Sequence, residues 1–170
     1  MPYDPATRHR VMASIRKRDT KPELRVRKAL HARGMRYRVN VGTLPGTPDI
    51  VFTKARVSVQ VHGCFWHQHP ACALARRPKA NIAYWEPKLR RNVIRDGENG
   101  QRLAMMGWHL VTVWECETRD LEQLTRVIDT IESILVKHRE APKLASAAPE
   151  IDTNKERTRL LSIDGTERIF

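Results

Sequence analysis

Two cysteines, three histidines, a phenylalanine and a tryptophan fall within the eleven residues His62-Gly63-Cys64-Phe65-Trp66-His67-Gln68-His69-Pro70-Ala71-Cys72. No other stretch of the chain restricts the fold so tightly. Thiolates and imidazoles this close together are a natural ligand set for a tetrahedral zinc, which would close the segment into a loop. Adjacent Phe65 and Trp66 are costly in a short polar loop unless they are buried or lie against something flat. An imidazole that a metal does not use is the side chain best suited to move protons near neutral pH.

The chain has 170 residues, enough for one domain with a real core and some tail. Lys and Arg number 31 against 19 Asp and Glu, a formal net charge of +12. So basic a chain usually meets a polyanion, with nucleic acid the default partner. A solubilising charged surface is the plainer alternative. No apolar run approaches a membrane span, and the N-terminus lacks the apolar stretch of a signal peptide. Three cysteines cannot form a fully paired disulfide set, so metal binding in a reducing, cytoplasmic compartment is expected.

Residues 1–18 are polar and basic and read as an arm or short helix. Thr20-Lys21-Pro22-Glu23 reads as a capping box, Val26, Ala29 and Leu30 as a helical apolar face, and Gly34 as its stop. Met35, Tyr37, Val39 and Val41 alternate with polar residues, as a half-buried strand would. Leu44-Pro45-Gly46-Thr47-Pro48 is a turn, followed by strands at Asp49–Phe52 and through Val57, Val59 and Val61. Trp85 to Met106 has helical spacing, Trp108 to Trp114 is an apolar strand, and Leu121 to Leu135 an amphipathic helix. From about Lys137 the chain turns polar and Ala/Pro-rich, a tail to residue 170. The order α-β-β-β-α-β-α predicts an α/β fold with a mixed central sheet flanked by helices.

Cys116, at the end of the last strand, completes a Cys3His zinc set with Cys64, His69 and Cys72. A buried core thiol is the bland alternative for Cys116. His62 and His67 then remain unclaimed, and His67 lies on a loop that the metal would stiffen into a mount for a base. An ordinary polar role is open to either. Asp49, at the mouth of a strand, could hold Mg2+ against a phosphate, although Pro-Asp is also a common turn pair. Phe65, Trp66 and Trp85 read as an aromatic wedge for stacked bases, and Trp108 and Trp114 as core.

Several blocks occur in a telling order. These are Asp19-Thr20-Lys21-Pro22-Glu23, Leu44-Pro45-Gly46-Thr47-Pro48-Asp49, His62-Gly63-Cys64-Phe65-Trp66-His67, Tyr84-Trp85 with Asn92 and Asp96, and Gly107-Trp108 through Trp114-Glu115-Cys116. Over residues 8 to 136 they resemble the very short patch repair endonucleases, the DNA mismatch nickases. Ile151-Asp152-Thr153 resembles the end of some members. The resemblance implies a restriction-endonuclease-like core over residues 19–136 with a structural Zn2+. It also implies Mg2+-dependent nicking of one strand of double-stranded DNA, 5′ of the T in a T·G mismatch left by 5-methylcytosine deamination. Asp49 would be the side-chain Mg2+ ligand and the Val61 backbone carbonyl the second. His67 would be the general base, Asp96 would orient it, and Glu23 and His62 would complete the site. Phe65, Trp66 and Trp85, with Asn92 near them, would enter the opened duplex from the major groove, and Met12 from the other side. A bacterial, cytoplasmic monomer acting at the nucleoid is implied, with mismatch-repair proteins as partners.

Many nucleases of this fold carry a later acid and a lysine after the first Asp. Here Val59-Gln60-Val61-His62 offers neither, so a carbonyl and histidines must serve. Two departures bear on the site. Pro70-Ala71 lengthens the loop by a residue relative to some members, so Cys72 reaches a metal only if the loop closes. Gly97 and Gly100 follow Asp96, and a kink or early unwinding is expected there, loosening the hold on His67. Two other readings use the same residues: a silent zinc protein that binds mismatched DNA, and a restriction-type nuclease that cuts matched duplex.

Overall fold

The first helix, α1 (Lys21–Ala32), starts and stops on local chemistry. Thr20 is extended, Pro22 sits in the first turn, and the Glu23 carboxylate reaches back to the Asp19 N–H at 2.9 Å and the Thr20 hydroxyl at 2.8 Å. The expected capping box is not formed, because Glu23 takes the Asp19 N–H in place of that of Thr20, and the Thr20 side chain gives its hydroxyl proton to Glu23 and makes no cap to the helix backbone. At the far end Gly34 takes φ +74° and donates to the His31 carbonyl, while Met35 N–H donates to Leu30. These two bonds form a Schellman motif, with Met35 and Leu30 both in the core.

The structure is a computed structural model that describes Thr7, Arg10 and residues 18–140. The remainder of the N-terminal arm, Met12 included, and the segment from 141 onward, Ile151-Asp152-Thr153 included, lie outside the described residues.

Strands β1 (Arg38–Val39), β2 (Ile50–Phe52), β3 (Val57–His62) and β4 (His109–Trp114) form one sheet in the order β1-β2-β3-β4. The first three pair antiparallel. β4 joins β3 in parallel, Val57 facing His109 through to His62 facing Trp114. A parallel neighbour needs a crossover, and α2 (Ile82–Met105) supplies it. α3 (Leu121–Glu140) follows. The mixed α/β architecture and the element order are as the sequence predicts.

Helices cover both faces. Val26 and Leu30 of α1 pack with Ile128, Ile131 and Leu135 of α3 against Ile50, Phe52, Val57, Val59 and Val113. On the opposite face Leu103 of α2 packs with Val51 and Leu44, and Trp108 and Leu110 lean on them. Pleating therefore aims Ser58, Gln60 and His62 of β3 away from α1 and α3, and all three are buried. A central strand buried on both sides, with a polar side chain at every second position, is unusual in a core. It places chemistry inside the fold.

Three local expectations are corrected. The alternating run Met35–Val41 yields only the two-residue β1, whose residues are both exposed. Asn40 adopts φ +49° and ends the pairing, while Met35 and Tyr37 turn into the core. α2 begins three residues early, at Ile82, and is unbroken through Gly97 and Gly100. Its packing outweighs the propensity cost of about 1 kcal/mol per glycine, and a Cβ at Gly100 would stand 3.5 Å from Leu110 Cδ2, an ordinary contact distance. α3 runs to Glu140, past the expected end of the core.

Candidate active site and metal centre

β3 leads straight into a tightly wound loop. His67 N–H donates to Gly63, His69 N–H to Cys64, Cys72 N–H to His69 and Ala75 N–H to Cys72. The loop closes despite Pro70-Ala71, because Gln68 and Ala71 take φ +51° and +55°. Such angles are strained for residues other than glycine and persist only where the surroundings hold them.

That closure brings Cys64, His69 and Cys72 together, and the turn after β4 adds Cys116. The four ligand atoms lie within 4.8 Å of one another. His69 Nδ1 is 3.7 Å from Cys64 Sγ and 3.4 Å from Cys116 Sγ. Tetrahedral zinc with the usual bond lengths sets its ligands roughly 3.5–3.8 Å apart, so the donor set fits. Burial pushes the Cys64 thiol up to about 12, and burial also raises Cys116. The Leu74 N–H bond is the first of the contacts that hold the Cys72 thiol below its ordinary value. Trp114 walls this cluster, its ring stacked on His69 at 4.2 Å. Expected as core, Trp114 is half-buried and belongs to the site.

On the other side of Cys64 a second group forms. The His62 and His67 rings stack at 3.8 Å and 9°. His67 Nδ1–H donates to Asp96 Oδ2 at 2.5 Å, and the Asn92 amide of the same helix donates to the Trp66 carbonyl at 3.1 Å. α2 thus pins the loop at two points. Burial, and then the charge of His67, hold His62 down to about 4. Burial alone would raise Asp96, but the hydrogen bond from His67 and the charges of His67, His62 and Arg95 outweigh it and keep the carboxyl low.

Asp49 enters from the turn before β2. Its Oδ2 accepts the Val61 N–H at 2.7 Å, across the β2–β3 pair. Burial pushes its carboxyl up to about 6, and the nearby Glu23 charge adds to this, against the Val61 bond and the charges of Arg27 and His67. Glu23 is buried and also takes Arg27 Nη2 at 3.2 Å. Asp49, Glu23, His62, His67 and Asp96 therefore come from five segments to one end of the sheet.

Beside them Phe65, Trp66 and Trp85 meet edge to face or tilted, with centroids 5.0 to 6.0 Å apart. Lys88 lies 5.3 Å from the Trp66 ring and 5.7 Å from that of Trp85. All three rings are only half-buried. Partly exposed apolar patches of this kind are common at interaction sites.

With this geometry in hand, the likeness to known proteins is specific. The family model of the DNA mismatch endonuclease Vsr matches residues 2–74. The Type II nicking enzyme V.XorIIP of Xanthomonas oryzae pv. oryzae is 44% identical over 120 residues, 71% of this chain and 88% of its own. The DNA mismatch endonuclease Vsr of Escherichia coli strain K12 is 41% identical over 123 residues, 72% of this chain and 78% of its own. This chain belongs to the Vsr family. The Type II nicking enzyme V.NmeAIP of Neisseria meningitidis serogroup A is 40% identical over 125 residues, 71% of this chain and 89% of its own. These alignments are longer than the 2–74 match, so the likeness to Vsr proteins extends beyond the first half of the chain.

Within this Vsr-family chain, sequence reasoning missed several residues around the site. Arg27 bridges Asp19 at 2.5 Å and Glu23. Gln60 Nε2 and Asn99 Nδ2 both lie against Gly46, 2.6 and 3.0 Å from where a Cβ would stand. The only sequence signal was Gln60 itself, a polar residue in the run Val57-Ser58-Val59-Gln60-Val61.

Proposed function

We propose that this protein is a Mg2+-dependent mismatch endonuclease that nicks one DNA strand 5′ of the T in a T·G mismatch left by 5-methylcytosine deamination. The observation that carries the reading is the His67–Asp96 pair, held at 2.5 Å beside Asp49 in a Vsr-family chain. An imidazole whose Nδ1–H is fixed by a carboxylate presents Nε2 as the basic nitrogen, ready to take a proton from water.

Asp49 and the Val61 carbonyl offer hard oxygens on adjacent strands, which suits Mg2+ better than imidazole does. Mg2+ there would polarise the scissile phosphate and stabilise the charge that develops on it. Asp49 keeps one oxygen on the Val61 N–H, so its carboxylate is aimed before any cation arrives. His62 supports the face of His67, and Glu23 adds negative charge near Asp49. Cys64, His69, Cys72 and Cys116 would hold a structural Zn2+ that stiffens the loop bearing His67.

Phe65, Trp66 and Trp85 are proposed to enter the opened duplex from the major groove, steadied by Asn92, with Met12 opposite. A T·G wobble is already shifted and weakly paired, so unstacking there costs less than in a matched duplex. Arg76, Arg77, Lys79, Arg90, Arg91 and Arg95 are exposed on the same loop and helix, where phosphates would pass. Helices on both faces of a short mixed sheet support a restriction-endonuclease-like core. A bacterial, cytoplasmic monomer working at the nucleoid beside other mismatch-repair proteins completes the reading. Among the described residues no helix is long and apolar enough to cross a membrane.

The test uses end-labelled duplexes, one with a single T·G and one fully paired, with purified protein and Mg2+. Cutting of the T strand alone, 5′ of the mismatched T, is expected. Cutting of both duplexes would make the protein a restriction-type nuclease, and binding without cutting a silent mismatch binder.

A further inference from the structure

Gly46, in the turn before Asp49, has φ +74°, and no side chain fits there. A Cβ built on it would stand 2.6 Å from Gln60 Nε2 and 3.0 Å from Asn99 Nδ2. The turn backbone, the middle of β3 and the inner side of α2 thus meet at one point. Gln60 is 6% exposed, yet its Oε1 has no hydrogen-bond partner among the described residues. An unpaired buried amide oxygen costs roughly 1–3 kcal/mol. The amide nitrogens of Gln60 and Asn99 both stand against Gly46, in the space that any other residue's side chain would fill.

The junction lies between the two halves of the candidate site. In the β2–β3 register Ile50 faces Val59, so the next pair outward is Asp49 and Gln60. Asn99 follows Asp96 by three residues, on the same side of α2. The two amides therefore tie the segment that delivers Asp49 to the helix that delivers Asp96.

We propose that Gln60 and Asn99 are positioning residues for nicking: their side-chain amides both stand against Gly46 and clamp the Leu44–Pro48 turn between β3 and α2, setting the distance from Asp49 to the His67–Asp96 pair. The proposal rests on the reading of Asp49 and His67 as reacting groups. It needs no residue that touches DNA. The effect should therefore fall on the chemical step and not on binding.

The test measures single-turnover nicking of a T·G duplex by the full chain across a Mg2+ series, together with duplex affinity and thermal unfolding. Gln60→Leu and Asn99→Leu are each expected to slow nicking about tenfold, with duplex Kd held within about twofold. The double variant should be no slower than the slower single, since both changes open the same clamp. The exchange Gln60→Asn with Asn99→Gln moves one methylene across the junction and should recover most of the rate. Wild-type nicking by both single variants, independent losses that multiply in the double, or nicking that falls only in step with binding would each overturn the clamp. Asp49→Asn is run alongside. A normal rate for that variant overturns the reading beneath the proposal, whereas a dead Asp49→Asn with a normal Gln60→Leu overturns the clamp alone.

Discussion

His67 Nδ1 stands 2.5 Å from Asp96 Oδ2, joining a loop residue to a helix residue 29 positions away. The His62 ring stacks on the other face of His67, so the imidazole is held by edge and by plane. An ionised Asp96 selects the tautomer with its proton on Nδ1. Asp96→Asn keeps the shape but removes that selection. Nicking is expected to fall roughly a hundredfold or more, while binding to a T·G duplex changes less than about twofold. Single-turnover rates beside fluorescence anisotropy separate the two. Equal losses in both would make Asp96 structural.

Asp49 is held up to about 6, first by burial. A carboxyl raised above its unfolded value keeps its proton in the folded state over a range where the unfolded chain has lost it. Stability from this group is therefore present at low pH and lost as pH rises from about 4 to about 6. Asp49→Asn is expected to abolish nicking, yet to make the free protein more stable at neutral pH by on the order of 3 kcal/mol. At about pH 3.5 the two proteins should unfold together. Mg2+ should raise the melting temperature of wild type and leave Asp49→Asn unmoved. A variant less stable than wild type at neutral pH would refute the idea that this carboxylate is held at a cost.

The Cys3His cluster should carry one zinc per chain, readable by atomic absorption. Cys116→Ser, or a strong chelator, should release the metal and lower the melting temperature by several degrees or more. Nicking should be lost as well, because His67 shares its loop with three of the ligands. Full zinc content in Cys116→Ser would remove that residue from the set.

Trp66→Ala and Trp85→Ala remove half-buried rings whose stacking on a base would be worth roughly 1–3 kcal/mol. Each should weaken T·G duplex binding by about tenfold, and fully paired duplex much less, so discrimination narrows. Parallel titrations of both duplexes give the ratio. An unchanged ratio would mean that the cluster serves packing and not recognition.

Much of this was legible in the chain. Local rules suffice for α1, since Pro22, Glu23 and Gly34 act within one turn of themselves, and Gly34 closes a Schellman motif with Met35. The element order, the clustered ligands at 62–72 and the Tyr84-Trp85 block are linear features that read directly. Other features failed for physical reasons. The alternation at Met35–Val41 promised a longer strand, but Asn40 broke it with a single left-handed residue. Gly97 and Gly100 promised a kink, and helix packing overrode a propensity that is weak beside tertiary contact.

By itself the sequence determined which chemistry is available: a cluster that could hold a metal with all three cysteines, spare histidines, one carboxylate at a strand mouth and partly hydrophobic loops among positive charge. Tertiary structure alone decided which of these meet. Cys116 reaches Cys64 because β4 lies parallel to β3 in a register that puts Trp114 beside His62. Asp96 reaches His67 because α2 crosses the sheet unbroken, and Gln60 and Asn99 both come up against Gly46 because it has no side chain to hold them off. Spacing along a chain constrains neighbours within a few residues. Contacts across 29 or more residues depend on strand register and helix docking, and these are set by the whole core at once.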